Sequence, residues 1–172
     1  MGQDQRDFTE FYEASRDACL NAVTAVVGDR HTAEDLVAEG FARAWASWRK
    51  VSQYSSPAGW VVRVALNAGV SWWRPRRREV PLGDHDLATA DPASGVDAAI
   101  LAAIRRLPRR QREVISLRAF LDLDTQATAE ALGIAPGTVT AHLSRAVTAL
   151  RLEPAVRDGP TLANFPDNHD GG

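Results

Sequence analysis

The stretch GIAPGTVTAHLSRAVTALR, residues 133–151, decides the fold of the carboxy-terminal half of this chain. It opens with the turn residue Gly133 and continues as a helix whose apolar positions share one face, namely Val139, Leu143, Ala146 and Leu150. A short helix is predicted just before the turn, near 125–132. Two helices joined in this way are typical of a helix-turn-helix, whose second helix enters the DNA major groove. The alternative is a helical hairpin whose polar face only meets water.

The opposite face of this helix carries side chains that suit DNA. Thr138 and Thr140 offer hydroxyls that can bond phosphates. His142 adds a hydrogen-bonding group, and Arg145 can pair with a phosphate or a guanine edge. The arginines that gather at 105–112 favour DNA reading over the helical hairpin.

Helical periodicity also dominates the rest of the chain, and we find no convincing alternating strand pattern. We predict a helix over 7–27, a second from an N-cap at Thr32 to Trp48, and a third from Pro57 that Pro75 stops. The sequence therefore predicts an all-α fold of two small helical domains joined by a flexible linker. The predicted boundaries are a first domain at 1–78, a linker at 79–95, a second domain at 96–153 and a disordered tail at 154–172.

Composition and charge limit the class of protein. The 172 residues are 45% hydrophobic and 24% charged, which is ordinary for a globular protein. The net charge of −2 argues against a protein that coats DNA without sequence specificity. The sequence shows neither a membrane-spanning run nor a secretory leader pattern, so we expect a cytoplasmic protein without membrane insertion. Acidic residues gather in the first sixty positions, whereas arginines gather at 74–78 and 105–112. This division fits a protein with two kinds of partner.

Residue types that carry catalysis or bind metals do not form a recognisable pattern. Cys19 is the only cysteine, so the sequence offers no internal disulfide and no cysteine-based zinc site. The four histidines are scattered without metal-ligand spacing, and we find no nucleophile triad or glycine-rich phosphate loop. We therefore expect no enzyme, no metal and no cofactor.

Three stretches carry a resemblance to a known family. A resemblance to region 4 of bacterial sigma factors is found at residues 107–151, LPRRQREVISLRAFLDLDTQATAEALGIAPGTVTAHLSRAVTALR. Their region 2.2 is similar to AEDLVAEGFARAWASW at 33–48, and their regions 2.3 and 2.4 are similar to WVVRVALNAGVSWWRPRRR at 60–78. The order of these motifs and the short linker are typical of the extracytoplasmic-function class (group 4), and the sequence looks actinobacterial.

The resemblance implies a polymerase-binding surface on the second helix. In that family region 2.2 docks on the clamp of the β′ subunit of RNA polymerase, and the matching positions here are Asp35, Leu36, Val37 and Glu39. The carboxylates would pair with clamp arginines, and the two apolar side chains would supply a desolvated centre. For Phe41 and Trp45, which also match, we favour the protein core.

The resemblance also implies that the third helix and the loop before it read the minus-ten promoter element. The loop at 52–56 matches the segment that holds a flipped base in relatives, where Tyr54 could stack on the base. The residues implied on this element are Tyr54, Ser55, Asn67, Ser71 and Arg74, with Arg76, Arg77 and Arg78 on phosphates.

The carboxy-terminal domain would read the minus-thirty-five element and touch the flap of the β subunit. Arg118 and Arg145 are the phosphate candidates, and Thr138, Thr140 and His142 lie nearest the base edges. Ala127 and Thr128 depart from the family pattern and should weaken the first helix of the motif. Ala135 stands where a serine N-cap is usual, a loss of about 1 kcal/mol unless another contact compensates.

The implied function is that of an alternative sigma factor, whose partners are core RNA polymerase and promoter DNA. An anti-sigma partner is common in the class, although nothing in this sequence demonstrates one. The alternative is a helix-turn-helix regulator that acts without polymerase, which leaves the acidic first half unexplained.

Overall fold

The computed structural model describes residues 2–76 and 97–157, apart from the side chains at 70–76 and 155. Within these ranges the backbone forms helices and turns without a strand, which confirms the all-α prediction. The predicted linker at 79–95 and the tail from 158 lie outside the described residues. The helices are α1 (Gln3–Val27), α2 (Arg30–Ala46), α3 (Trp48–Val51), α4 (Pro57–Arg76), α5 (Ala98–Arg105), α6 (Arg109–Phe120), α7 (Thr125–Leu132), α8 (Pro136–Arg151) and α9 (Pro154–Arg157).

Two apolar clusters hold these helices together. The first joins α1, α2 and α4 around Val23, Phe41 and Val61, and the second joins α5, α6, α8 and α9 around Ile104 and Leu150. Burial of such side chains is the main favourable term in folding, at about 25 cal/mol per Å² of apolar surface. Each half of the chain therefore has its own main cluster. Leu117 of α6 and Ala131 of α7 nevertheless lie in the first cluster, and Ala25 of α1 lies in the second.

The break between α1 and α2 is shorter than the sequence indicated. Gly28 ends α1 in the left-handed region at φ 83°, where a side chain would be strained. Asp29, rather than Thr32, is the N-cap of α2, so the predicted cap was wrong. The Asp29 carboxylate accepts hydrogen bonds from the Thr32 backbone N–H at 3.0 Å and from the Thr32 hydroxyl at 2.5 Å. The bond from the Thr32 hydroxyl is the main reason that the pKa of Asp29 lies below its usual value.

Gly40 lies in the middle of α2, where a glycine costs about 1 kcal/mol relative to alanine. It allows a close approach of α4, because a Cβ at this position would lie 2.8 Å from the Val61 carbonyl oxygen. Gly69 on α4 faces α2 in a similar way, with a Cβ position 3.1 Å from a methyl carbon of Leu36. Small residues on both helices thus allow α2 and α4 to pack closely.

The end of the second domain extends beyond the predicted boundary. Pro154–Arg157 forms α9, and Val156 is buried in the second apolar cluster. Glu153 just before it pairs with Arg106 at 2.9 Å. The prediction that disorder begins at 154 was therefore wrong for this first turn, because Val156 packs into the second apolar cluster. None of the described helices is long and apolar enough to cross a membrane.

Candidate nucleic-acid interface

The helix-turn-helix predicted at the carboxy terminus is formed by α7 and α8. Gly133 adopts φ 65° between them, and its N–H bonds back to the Glu130 carbonyl. Asp124 caps α7 by accepting from the Ala127 N–H at 2.7 Å, and the buried Thr128 hydroxyl donates to the Asp124 carbonyl at 2.8 Å. These bonds offset the weakening expected from the Ala127–Thr128 pair.

The second helix, α8, starts without the side-chain cap that serine would provide. Ala135 has no side-chain oxygen, and Pro136 occupies the first turn, where its fixed φ suits a helix. The positions predicted to face inward are buried: Val139, Leu143, Ala146 and Leu150. The fixed φ of Pro136 thus offsets part of the helix stability that is lost without a side-chain cap.

The outer face of α8 remains open to solvent. Thr138, Thr140 and Arg145 are exposed, whereas His142 is half-buried. The Nδ1 atom of His142 is buried and has no hydrogen-bond partner among the described residues. Three of the four predicted DNA contacts on α8 are therefore accessible.

Arg118 lies differently from the phosphate contact that the resemblance implied. Its guanidinium is partly buried and donates to the Leu123 carbonyl at 2.8 Å, which ties α6 to the loop before α7. Asp122 in that loop has φ 52°, an uncommon conformation for a residue other than glycine. In this structure Arg118 positions the loop, and its contact with DNA stays a prediction.

The loop before α4 holds the residues predicted to receive a flipped base. Tyr54 is 41% exposed. The Ser55 hydroxyl donates to the Glu130 carboxylate of α7 at 2.6 Å, and Gln126 donates to the other carboxylate oxygen at 3.3 Å. These two bonds hold the pKa of Glu130 below its usual value. Ser56 accepts from the Gly59 N–H at 2.9 Å and so caps α4.

The outer face of α4 continues this surface along the helix. Asn67 is exposed, and with Arg63 it lines an open cleft that Arg110, Glu113 and Leu132 close from the other side. Glu113 is buried and pairs with Arg109 at 2.9 Å and Arg110 at 2.8 Å. Of the remaining minus-ten candidates, Ser71, Arg74 and Arg76 belong to α4 but their side chains are not described, and Arg77 and Arg78 lie outside the described residues.

The predicted polymerase-binding residues on α2 separate into two groups. Asp35 and Glu39 are exposed, and Glu39 pairs with Arg43 at 2.6 Å. Leu36 and Val37 are only 6% and 4% exposed because they pack into the first apolar cluster. They therefore do not provide the expected apolar contact surface in this structure.

Two aromatic residues of α2 also have different surroundings. Phe41 is buried as expected, but Trp45 is 47% exposed, so the prediction that it lies in the core was wrong. The Trp45 ring packs on Phe8 of α1 with 5.1 Å between ring centroids, and Tyr12 lies next to Phe8. Trp45 and Tyr12 therefore expose aromatic surface where α1 and α2 meet.

Comparison with known proteins places these surfaces in a family. The model of sigma-70 region 2 matches residues 11–79, and the model of sigma-70 region 4 matches residues 97–150. The RNA polymerase sigma-E factor of Streptomyces coelicolor is 31% identical over 156 residues, which cover 88% of each chain. The chain belongs to the RNA polymerase sigma factor family. A helix-turn-helix regulator without polymerase would have no use for region 2.

Further relatives agree with the extracytoplasmic-function (ECF) group. The ECF RNA polymerase sigma factor SigL of Mycobacterium tuberculosis is 33% identical over 136 residues, covering 74% of this chain and 77% of that protein. Among solved structures, the sigma factor RpoE in complex with the anti-sigma factor NepR from Bartonella quintana gives a TM-score of 0.71 at 25% identity. That match covers 85% of this chain and 95% of that one.

The family assignment allows the helices to be grouped. Region 2 contains α1 to α4, and region 4 contains α5 to α8, with α9 packed behind it. Sequence reasoning missed Ser56 as the cap of α4, although a serine before Pro57 is a recognisable signal. It also missed Glu130, whose bond to Ser55 joins residues 75 positions apart and leaves no local signal.

Cys19 was singled out in the sequence as the only thiol. It is fully buried in α1, and burial raises its pKa to about 12. The thiol therefore stays protonated and unreactive in the folded protein.

Proposed function

We propose that this sigma factor binds core RNA polymerase, directs it to promoters with minus-thirty-five and minus-ten elements, and helps to open the DNA strands. The observation that carries this proposal is the presence of region 2 and region 4, in that order, in one chain. Two modules on one chain can each bind weakly, because tethering raises the local concentration of the second module.

Region 4 would read the minus-thirty-five element through α8. Thr138 and Thr140 stand exposed in its first half, which is the part of a recognition helix that meets base edges. Arg145 lies two turns further along, where it can reach a phosphate or a guanine. His142 contributes from a half-buried position, and contact with the β flap is assigned to region 4 as a whole.

Region 2 would hold the opened minus-ten strand. Tyr54 offers an exposed ring on which an unstacked base can lie, a contact worth about 1–3 kcal/mol. Ser55 in the loop and Asn67 on α4 supply exposed polar groups. The contributions of Ser71, Arg74, Arg76, Arg77 and Arg78 rest on the sequence resemblance.

The polymerase contact is assigned to the exposed part of α2. Asp35 and Glu39 present carboxylates to the β′ clamp, and Trp45 adds the apolar area that Leu36 and Val37 cannot offer from the core. Aromatic residues are enriched where protein interfaces desolvate.

The proposed role needs no catalysis and no cofactor, because binding to the opened strand shifts the duplex equilibrium. Since its targets are polymerase and promoter DNA, we place its action in the cytoplasm. The Bartonella quintana relative was solved with an anti-sigma factor. We extend that relation to this chain as a second partner that would compete with polymerase or DNA.

Transcription in vitro with core RNA polymerase from Streptomyces coelicolor and a library of randomised promoters tests the proposal. We expect transcripts that depend on the protein and share two short elements at a fixed spacing. The double variant Asp35→Arg/Glu39→Arg should lose polymerase binding, while Glu10→Arg on the exposed face of α1 should retain it. Transcripts that do not depend on the protein would contradict the proposal.

A further inference from the structure

An open cleft lies between α4 of region 2 and the helices α6 and α7 of region 4. Its volume is about 110 Å³, and the side chains that line it are Arg63, Leu66, Asn67, Arg110, Glu113 and Leu132. Clefts between domains are common places for small ligands. The charges and hydrogen-bonding groups of this lining decide which ligand the cleft can hold.

Arg63 brings a guanidinium to the cleft from α4. The side chain is exposed and makes no hydrogen bond or ion pair with any residue that the structure describes. One of its Nη atoms lies 3.6 Å from the position that a Cβ on Gly133 would occupy, so the side chain reaches the turn between α7 and α8. The positive charge of Arg63 therefore faces the cleft without an ion-pair partner from the described residues.

A second arginine stands on the wall formed by α6. One Nη of Arg110 donates to Oε2 of Glu113 at 2.8 Å, and Arg109 donates to Oε1 of the same carboxylate at 2.9 Å. Glu113 is buried and is shared by these two arginines, so its single negative charge does not balance both of them. The side chain of Arg110 is 47% exposed and has further N–H groups for a ligand. Together with Arg63, it gives the cleft an excess of positive charge.

These groups suit a phosphate. A guanidinium can donate two parallel hydrogen bonds to phosphate oxygens, and two guanidinium groups match the charge of nearly −2 that a phosphate monoester carries at neutral pH. The exposed Asn67 amide can donate to a further oxygen. Leu66 and Leu132 form the apolar part of the lining, which strengthens the attraction between the charges because it replaces water.

The size of the cleft limits how much of a ligand it can enclose. Sites that enclose a drug-sized molecule measure roughly 300–1,000 Å³. A cleft of about 110 Å³ therefore fits a phosphate group alone, and the rest of a larger ligand would extend through the open side into solvent.

We propose that this cleft binds inorganic phosphate or the phosphate group of a small monoester, held between Arg63 and Arg110. The site goes beyond the proposed function, because it adds a small-molecule ligand to the polymerase and DNA partners. DNA is the other source of phosphate, but each of its phosphodiesters carries a single charge and leaves one guanidinium unbalanced. Since Asn67 also belongs to the proposed minus-ten surface, the ligand and single-stranded DNA would compete for it.

Titration calorimetry on the full chain at constant ionic strength tests the site. The probes are inorganic phosphate and adenosine monophosphate, and adenosine is the matched compound without the phosphate. We expect saturable binding of both phosphates and no binding of adenosine. Binding of adenosine as strong as that of adenosine monophosphate would overturn the proposal.

Variants of Arg63 show whether the phosphate lies in the cleft. Arg63→Gln should weaken phosphate binding at least about tenfold, because it removes hydrogen bonds between charged groups. Arg63→Lys keeps the charge but loses the planar pair of donors, so its affinity should lie between those of Arg63→Gln and the wild type. Arg16→Gln, an exposed arginine on α1, should bind phosphate as the wild type does. Circular dichroism checks that all three variants are folded.

A single-stranded oligonucleotide without a terminal phosphate separates the two sources of phosphate. If the cleft takes small phosphates, Arg63→Gln loses binding of inorganic phosphate and of adenosine monophosphate. If only oligonucleotide binding depends on Arg63, the cleft holds the DNA backbone and the proposal is wrong. Absence of saturable phosphate binding to the wild-type protein, or equal binding by Arg63→Gln, would also overturn it.

Discussion

The outer face of α8 and the loop at 52–56 are the two surfaces of this molecule that are predicted to read DNA. They differ in their contacts with the other region. On α8, the predicted base-edge residues Thr138 and Thr140 point to solvent. In the loop, Ser55 is bonded to Glu130 of the other region. Predicted recognition residues on one polypeptide can therefore differ in whether a side chain of the other region bonds to them. Four variants can break or sharpen this contrast.

Leu117→Ala should have the largest effect, because it removes a buried side chain that joins region 4 to the region 2 cluster. We expect the free energy of unfolding to fall by about 2–5 kcal/mol. All five tryptophans lie in region 2, so tryptophan fluorescence follows that region while circular dichroism follows both. The urea unfolding transitions followed by tryptophan fluorescence and by circular dichroism should coincide in the wild-type protein. They should separate in Leu117→Ala.

Leu143→Ala is the matched control for this variant, since Leu143 is buried in the cluster of region 4. It should cost a similar amount of stability and leave the packing of the two regions intact. If the wild-type protein already shows separate transitions, the two regions do not unfold as one cooperative unit.

Arg145→Ala should weaken binding to minus-thirty-five duplex DNA by about 1–3 kcal/mol, as expected for loss of an arginine contact. Binding of single-stranded minus-ten DNA should not change, because α8 lies outside the loop. Fluorescence anisotropy with both DNAs measures this, with Arg16→Ala on α1 as the control. Equal losses on the two DNAs would remove the distinction between the surfaces.

Tyr54→Ala should show the opposite pattern, because its exposed ring lies in the loop before α4 and not on α8. We expect single-stranded minus-ten binding to weaken by about 1–2 kcal/mol through lost stacking. Tyr12→Ala removes a comparably exposed ring from α1 and should leave this binding intact. The same anisotropy assay measures both variants. If only Tyr12→Ala loses single-stranded minus-ten binding, the stacking site lies on α1 and not in the loop.

Asp29→Ala should have the smallest effect, about 1 kcal/mol of stability at neutral pH through loss of the α2 cap. The pKa of Asp29 is lowered in the folded state, so its contribution is present above the unfolded pKa and is lost as pH falls through the folded pKa. Urea denaturation at several pH values should show the variant and the wild type converging in acid. Asp17→Ala, exposed on α1, should cost less at every pH.

Local features of the fold could be read from the sequence, because they depend on nearby residues. The apolar face of α8, the Gly133 turn and the close approach at Gly40 all follow from spacing or residue type. The cap at Asp29 was missed because Thr32 offers an equally suitable side chain three positions later.

Features that depend on distant residues could not be predicted in this way. Leu36 and Val37 look like surface contacts in the family motif, yet they pack into the first apolar cluster, while Trp45 on the same helix stays partly exposed. The bond from Ser55 to Glu130 exists only because region 4 packs on region 2. A contact between residues of two domains cannot be recognised in the sequence of either domain alone.

The most direct test of the account scrambles each promoter element in turn during transcription with core RNA polymerase and the wild-type protein. Because two regions of one chain are proposed to read two elements, loss of either element should reduce transcripts by at least about tenfold, at roughly 1–3 kcal/mol per mismatched base pair. Insertion of half a helical turn between the elements should have a similar effect. Undiminished transcription after either element is scrambled would contradict the account.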